Sequence, residues 1–286
     1  MGGGFRGRKL TVGNMISRRN FLKLTGGAVG AASVGLLAAC REKAIIVGEA
    51  GEASEGQQEA GSAASQGRLL ARPARLPSGT TARKGLRPLG LGSGRDGLLY
   101  IPEGYGTKYD EAPLALMLHG AGGNARSGIS HFLDLADEAG LVLLAPESRG
   151  RTWDLLVGGY GPDVEFIDRA LEQTFDRLAV DAGRLTVAGF SDGASYALSI
   201  GLTNGDLFTH VIAFSPGFAS PAEREGSPRL FVSHGVHDNV LPIDRCSRRI
   251  VPQLEREGYD VRYREFDGPH TVPQSVAHEA LEWFTA

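Results

Sequence analysis

The chain has 286 residues, 42% hydrophobic and 22% charged, enough apolar material to bury the core of one large domain or two small ones. Its formal net charge of -3 spreads no basic field over the surface, which argues against a nucleic-acid partner. Two cysteines allow one disulfide at most, so stability has to come from ordinary burial.

At the N-terminus, Arg18 and Arg19 sit within the twin-arginine segment Ser17–Lys23, followed by an uncharged run, Leu24–Ala39, rich in Gly, Ala and Leu. This reads as an export signal. Gly26, Gly27, Gly30 and Gly35 keep the run weakly hydrophobic, short of the roughly 20 strongly apolar residues that a permanent membrane span needs. Met15 just before the signal is an alternative start. Leu37, Ala38, Ala39 and Cys40 resemble a bacterial lipobox. That resemblance implies acylation of Cys40 and a periplasmic or cell-surface lipoprotein held to the membrane by lipid. The alternative is plain cleavage after the small residues Ala38 and Ala39. With Cys40 acylated, Cys246 is the only thiol left and no internal disulfide can form.

Residues 41–87 are poor in aromatics and rich in Gly, Ala, Ser, Glu and Gln, a composition that offsets little of the entropy of ordering, and are expected to form a disordered tether. Glutamates crowd its first half; Arg68, Arg72, Arg75, Arg83, Lys84 and Arg87 crowd the second. These cations read as a solvated linker or as a contact with anionic headgroups or cell-wall polymers.

Residues 88–286 alternate short apolar runs with amphipathic stretches, the pattern of an α/β domain with a mostly parallel sheet between helices. Expected strands are Gly97–Ile101, Leu114–Leu118, Val142–Ala145, Leu185–Ala188, Val211–Phe214, Leu230–Ser233 and Val261–Phe266. Pro162 opens a helix whose apolar face carries Val164, Ile167, Leu171, Phe175 and Leu178; further helices are expected over Asp192–Leu202, Ile243–Glu257 and Pro273–Phe284. Only a loop separates the strands at Val211–Phe214 and Leu230–Ser233, too short for a cap domain.

The strand at Leu185–Ala188 runs into Gly189, Phe190, Ser191, Asp192 and Gly193 and then into a helix, which is the nucleophile-elbow pattern in its proper context. Serine needs a base and the base needs an orienting acid. Asp238 follows one later strand and His270 the next, in the chain order Ser, Asp, His. Asp244, in the first turn of an expected helix, and Asp267, three residues from His270, compete less well for the acid. The backbone N–H of Asp192 and that of Ala121, in the glycine loop Leu118–Asn124, are the expected oxyanion donors. His119 is expected to brace that loop, and His131, His210 and His278 to be surface or helix residues. His234 and His237 beside Asp238 invite a metal reading, but no second ligand group with recognised spacing accompanies them, and neither a metal nor a cofactor is expected.

With these residues in place, Leu98–Phe284 resembles the α/β-hydrolase superfamily. Within it, the likeness is to the phospholipase/carboxylesterase group and the polyhydroxybutyrate-depolymerase-like and feruloyl-esterase-like hydrolases near it. The resemblance rests on Leu118–Asn124, Gly189–Gly193, Ser233–Asp238 with Val240 and Pro242, and Gly268–His270. It implies a secreted carboxylic ester hydrolase with Ser191, Asp238 and His270 as its triad, no cofactor, and Gly122 and Trp153 beside the substrate. A core tryptophan is the alternative for Trp153. Ala194 departs from the group, which often has another glycine there. The missing cap and lid point to short or medium acyl esters, or aryl esters. Two rivals remain: a serine peptidase of the prolyl-oligopeptidase kind, and a surface binding protein on the same fold that has lost turnover.

Overall fold

The computed structural model describes residues 59–73 and 82–286; the twin-arginine segment, Cys40 and most of the expected tether lie outside the described residues. One sheet contains β1 (Gly85–Pro88), β2 (Gly97–Ile101), β3 (Ala112–Leu118), β4 (Val142–Pro146), β5 (Val180–Phe190), β6 (His210–Phe214), β7 (Arg229–Gly235) and β8 (Val261–Phe266). Their spatial order is β1-β2-β4-β3-β5-β6-β7-β8. The β1–β2 and β2–β4 pairings are antiparallel, and every pairing from β4 onward is parallel. The helices are α1 (described over 59–65), α2 (Ala125–Ile129), α3 (Ala136–Ala139), α4 (Pro162–Phe175), α5 (Asp192–Thr203), α6 (Ser247–Arg256) and α7 (Gln274–Thr285).

The expected α/β architecture is present. All of β3 and β4 is buried, because parallel strands connected by crossover helices are covered on both faces. Side chains alternate between two cores: Leu114, Leu116 and Leu118 of β3 join the one that takes in α4 and α5, while Ala115 and Met117 join the one that takes in α2 and α7. Pro162 occupies the first turn of α4, where its missing N–H costs nothing. The expected helix over Ile243–Glu257 is shorter: a single 3-10 turn at Ile243–Arg245 precedes α6. Residues 215–228 contain no helix or strand beyond a single bridge between Gly205 and Gly226, so this segment forms no cap domain.

The expected tether is corrected at its C-terminal end. Strand β1 begins inside it, paired with β2, and residues 59–73 are folded onto the domain. Leu69 is fully buried, and Asn204 grips the backbone on both sides of it, accepting from Leu69 N–H at 2.9 Å and donating to the Gly67 carbonyl at 2.8 Å. Asp168 accepts from the N–H groups of Leu70 and Ala71, and Arg68 and Arg72 both pair with Asp206. Those two arginines therefore face a carboxylate of the domain rather than lipid. A polar composition concealed the segment because its order comes from receptors placed far along the chain, not from apolar area of its own.

Candidate active site

The elbow is built by steric necessity. Ser191 sits at φ 57° and ψ -120°, a left-handed conformation that L-residues seldom hold, and α5 begins at the next residue. A Cβ on Gly189 would strike the Gly193 carbonyl, and one on Gly193 would strike the Leu118 and His119 carbonyls. Only glycine at both positions lets the chain fold this sharply, and the bend lifts Ser191 Oγ above the carboxyl end of β5. Because β5 lies between β3 and β6, the loop after β3 is brought directly beside it.

The same sheet edge gathers the other two predicted side chains. Asp238 follows β7 and His270 follows β8, and the two loops are joined by His237 N–H donating to the Gly268 carbonyl at 3.0 Å. His270 Nε2 accepts from Ser191 Oγ at 2.9 Å, and its Nδ1–H donates to Asp238 Oδ2 at 2.5 Å. The Phe190 ring lies against the imidazole, with centroids 4.7 Å apart. Asp238 Oδ1 accepts from the N–H groups of Val240 and Leu241 at 2.9 and 2.8 Å. Burial alone would raise this carboxyl, but the hydrogen bonds from His270, Leu241 and Val240 outweigh it and hold the group below the ordinary aspartate value. The competing carboxylates are engaged elsewhere, Asp244 with Arg248 at 2.8 Å and Asp267 with His237 at 2.9 Å.

The loop after β3 leaves Ala121 and Gly122 exposed. Among the described residues, neither Ala121 N–H nor Asp192 N–H has an acceptor, and Asp192 N–H opens the positive end of α5. Gly122, expected beside the substrate, forms the turn at φ 68°, and its N–H donates to the Arg151 carbonyl at 2.7 Å. His119 braces the loop as expected. Its Nδ1–H donates to the Gly120 carbonyl at 2.8 Å, and its Nε2 accepts from Ser148 N–H at 3.0 Å. Burial lowers its pKa, which favours the neutral tautomer these bonds require.

Trp153 is corrected, from pocket lining to core. It is fully buried, stacks on Tyr196 with centroids 5.0 Å apart, and donates its indole N–H to the His119 carbonyl at 2.8 Å. A large ring whose polar handle must be satisfied is stable here because the loop after β3 offers that carbonyl. Arg95, in the turn before β2, went unnoticed in the sequence. It donates to the carbonyls of Ser148 and Gly123, tying the loops after β3 and β4 together. No local pattern marks an arginine of this kind. Of the remaining histidines, His278 is exposed on α7. The rings of His131 and His210 instead pack against aromatics, His131 on Phe190 and His210 on Trp283, and burial lowers the His210 pKa to about 4. Cys246 is a buried free thiol, and among the described residues no group of three or more His, Cys, Asp or Glu is placed to hold a metal.

No family model matches the chain. Over 158 residues it is 30% identical to "Putative esterase NocK" of Nocardia uniformis subsp. tsuyamanensis; the match covers 51% of this chain and 44% of that protein, less than half the relative's length. Among solved structures, esterase PE8 superposes with a TM-score of 0.54 at 23% identity, covering 65% of this chain and 96% of the other. An acetyl xylan esterase from Aspergillus awamori gives 0.56 at 16% identity, over 71% and 100% of the two chains. A ferulic acid esterase, Fae1A of Anaeromyces mucronatus, gives 0.54 at 17% identity, over 76% and 97%. Likeness at such identities speaks for architecture, and together with the sheet order and the elbow it establishes that this chain has the α/β-hydrolase fold.

Proposed function

We infer that the chain is a serine esterase that hydrolyses carboxylic esters through an acyl-enzyme on Ser191. The observation that carries this reading is His270 standing between Ser191 Oγ at 2.9 Å and Asp238 Oδ2 at 2.5 Å, each ring nitrogen in hydrogen-bond range of its partner. As Oγ bonds to the ester carbonyl carbon, its proton passes to His270 Nε2. The carbonyl oxygen takes up negative charge in front of the N–H groups of Ala121 and Asp192. The carbon–alkoxy bond then breaks, and His270 returns the proton to the departing alcohol. Water repeats the sequence on the acyl-enzyme and frees the acid. Asp238 holds the Nδ1–H tautomer and stabilises the imidazolium that forms.

Short or medium acyl esters and aryl esters are the proposed substrates. The loop character of residues 215–228 supports this, since that segment supplies no cap in which a long apolar channel could be built, and so do the acetyl and ferulic esters that two neighbours are named for. The proposed location is outside the cytoplasm, after twin-arginine export, with the chain anchored by lipid on Cys40.

The test uses the full chain produced in a bacterial host. A fluorophosphonate probe is expected to label it, and nitrophenyl esters of two to eight carbons to be hydrolysed faster than a long-chain triglyceride. Ser191→Ala is expected to remove labelling and to lower turnover by roughly 10³-fold or more. Labelled protein in the membrane fraction, lost on Cys40→Ser, checks the anchor. Turnover that survives Ser191→Ala would overturn the reading.

A further inference from the structure

Asp238 has a second histidine on it. His234, near the end of β7, is fully buried, and its Nε2–H lies 3.2 Å from Asp238 Oδ2, the same oxygen that receives the proton-bearing nitrogen of His270. The same N–H donates to the Leu241 carbonyl at 2.7 Å, while Leu241 N–H donates to Asp238 Oδ1. On the other side of the ring, Nδ1 lies 2.7 Å from the hydroxyl of Ser247, itself fully buried at the start of α6. A serine hydroxyl can donate where an unprotonated imidazole nitrogen cannot. With Ser247 donating to Nδ1, the ring is fixed as the Nε2–H tautomer and its single proton points at the Leu241 carbonyl, with Asp238 Oδ2 beside it. The carboxylate is thus closed in by Val240, Leu241, His234 and His270, and leaves no lone-pair direction to water.

Building on the esterase reading, we propose that His234 is a positioning residue for the acid. Its Nε2–H, anchored on the Leu241 carbonyl and 3.2 Å from Oδ2, turns the positive end of its dipole towards the carboxylate and draws negative charge away from that oxygen, so the basicity of His270 depends on two N–H groups facing one acceptor. Burial keeps His234 neutral, against the pull of the Leu241 carbonyl and of Asp238, which makes it a dipolar donor rather than a competing cation. The other ionisable groups around the pair are Glu265 of β8, in register with His234 and held by Arg248, and the Cys246 thiol with Arg245 and Arg249 behind it. None of these reaches the Asp238 carboxylate, which His270 contacts at 2.5 Å and His234 at 3.2 Å.

The sign follows from the competition. Without His234 the charge on Oδ2 is concentrated on His270 and the imidazolium is favoured. Activity requires neutral His270, so the acid limb of kcat/KM moves to higher pH. In the full chain, His234→Leu is expected to raise that limb by roughly half a pH unit or more and to lower kcat several-fold, with KM little changed. His234→Gln, whose amide N–H reaches the place of Nε2, is expected to return the limb towards wild type. Ser247→Ala is expected to shift it in the same direction by less, and keeps the idea testable if the leucine variant fails to fold. NMR of the His270 ring protons across pH follows the same change without any substrate. A wild-type chain without turnover would sink the esterase reading and leave this measurement intact. An acid limb and a ring titration unmoved in His234→Leu would overturn the proposal, as would a glutamine variant no closer to wild type than leucine.

Discussion

At the scale of single residues, the site depends on a few groups with no freedom to vary. The left-handed backbone at Ser191 is strained, and it persists because Gly189 and Gly193 remove the atoms that would forbid it. Trp153 is fully buried, and its indole N–H holds the carbonyl of His119, two residues before Ala121. Trp153→Phe keeps the stack on Tyr196 but leaves that buried carbonyl unpaired, a loss of about 1–3 kcal/mol. The expected result is a lower unfolding midpoint together with roughly a tenfold fall in kcat on a nitrophenyl ester, because the Ala121 N–H drifts from the developing oxyanion. If stability falls while kcat stays at wild type, Trp153 has no hold on the loop.

At the scale of elements, the join between β4 and α4 carries a pair of carboxylates that cap one another's backbone. Asp163 accepts from the N–H groups of Asp154 and Arg149, and Asp154 accepts from Asp163 N–H and from the Tyr196 hydroxyl. Burial, opposed by the Arg149 N–H and aided by the charge of Asp154, raises the Asp163 pKa to about 6. A carboxyl whose folded pKa lies above its unfolded one takes up protons on folding, so this group stabilises the fold as pH drops through about 6 and stops doing so as pH rises past it. Between roughly pH 7 and pH 5 the gain from Asp163 is about 1 kcal/mol. Urea unfolding of wild type and Asp163→Asn across that range should show a steeper gain in wild type, since Asp154, raised by burial too, keeps a slope of the same sign in both; equal pH slopes would remove Asp163 as a source.

At the scale of the whole molecule, residues 59–73 belong to the folded domain rather than to a tether. Leu69 enters the core, and Asn204, Asp168 and Asp206 hold the backbone and cations around it. Leu69→Ala is expected to cost about 2–4 kcal/mol, as a cavity in a packed core does, with turnover unchanged. A segment merely lying on the surface would lose less than about 0.5 kcal/mol in the same denaturant titration. A chain started at residue 88, the boundary that composition suggests, would lack both this segment and β1.

The α/β order, the elbow and the three side chains meeting over it were legible from residues alone, because each is written in short patterns. Glycines two places either side of Ser191 answer to contacts within the same turn. Asp238 and His270 answer to their places just after β7 and β8, whose parallel run brings those loops to one edge. Partner choice over long separations was not legible in that way. Arg68 meets Asp206 across 138 positions, Trp153 meets His119 across 34, and Ser247 meets His234 across 13, and nothing local to either member names the other. Only the order in which strands stack decides which loops become neighbours. A polar group buried by that stacking then takes whichever partner lies in reach, because leaving it unpaired costs more than any local preference.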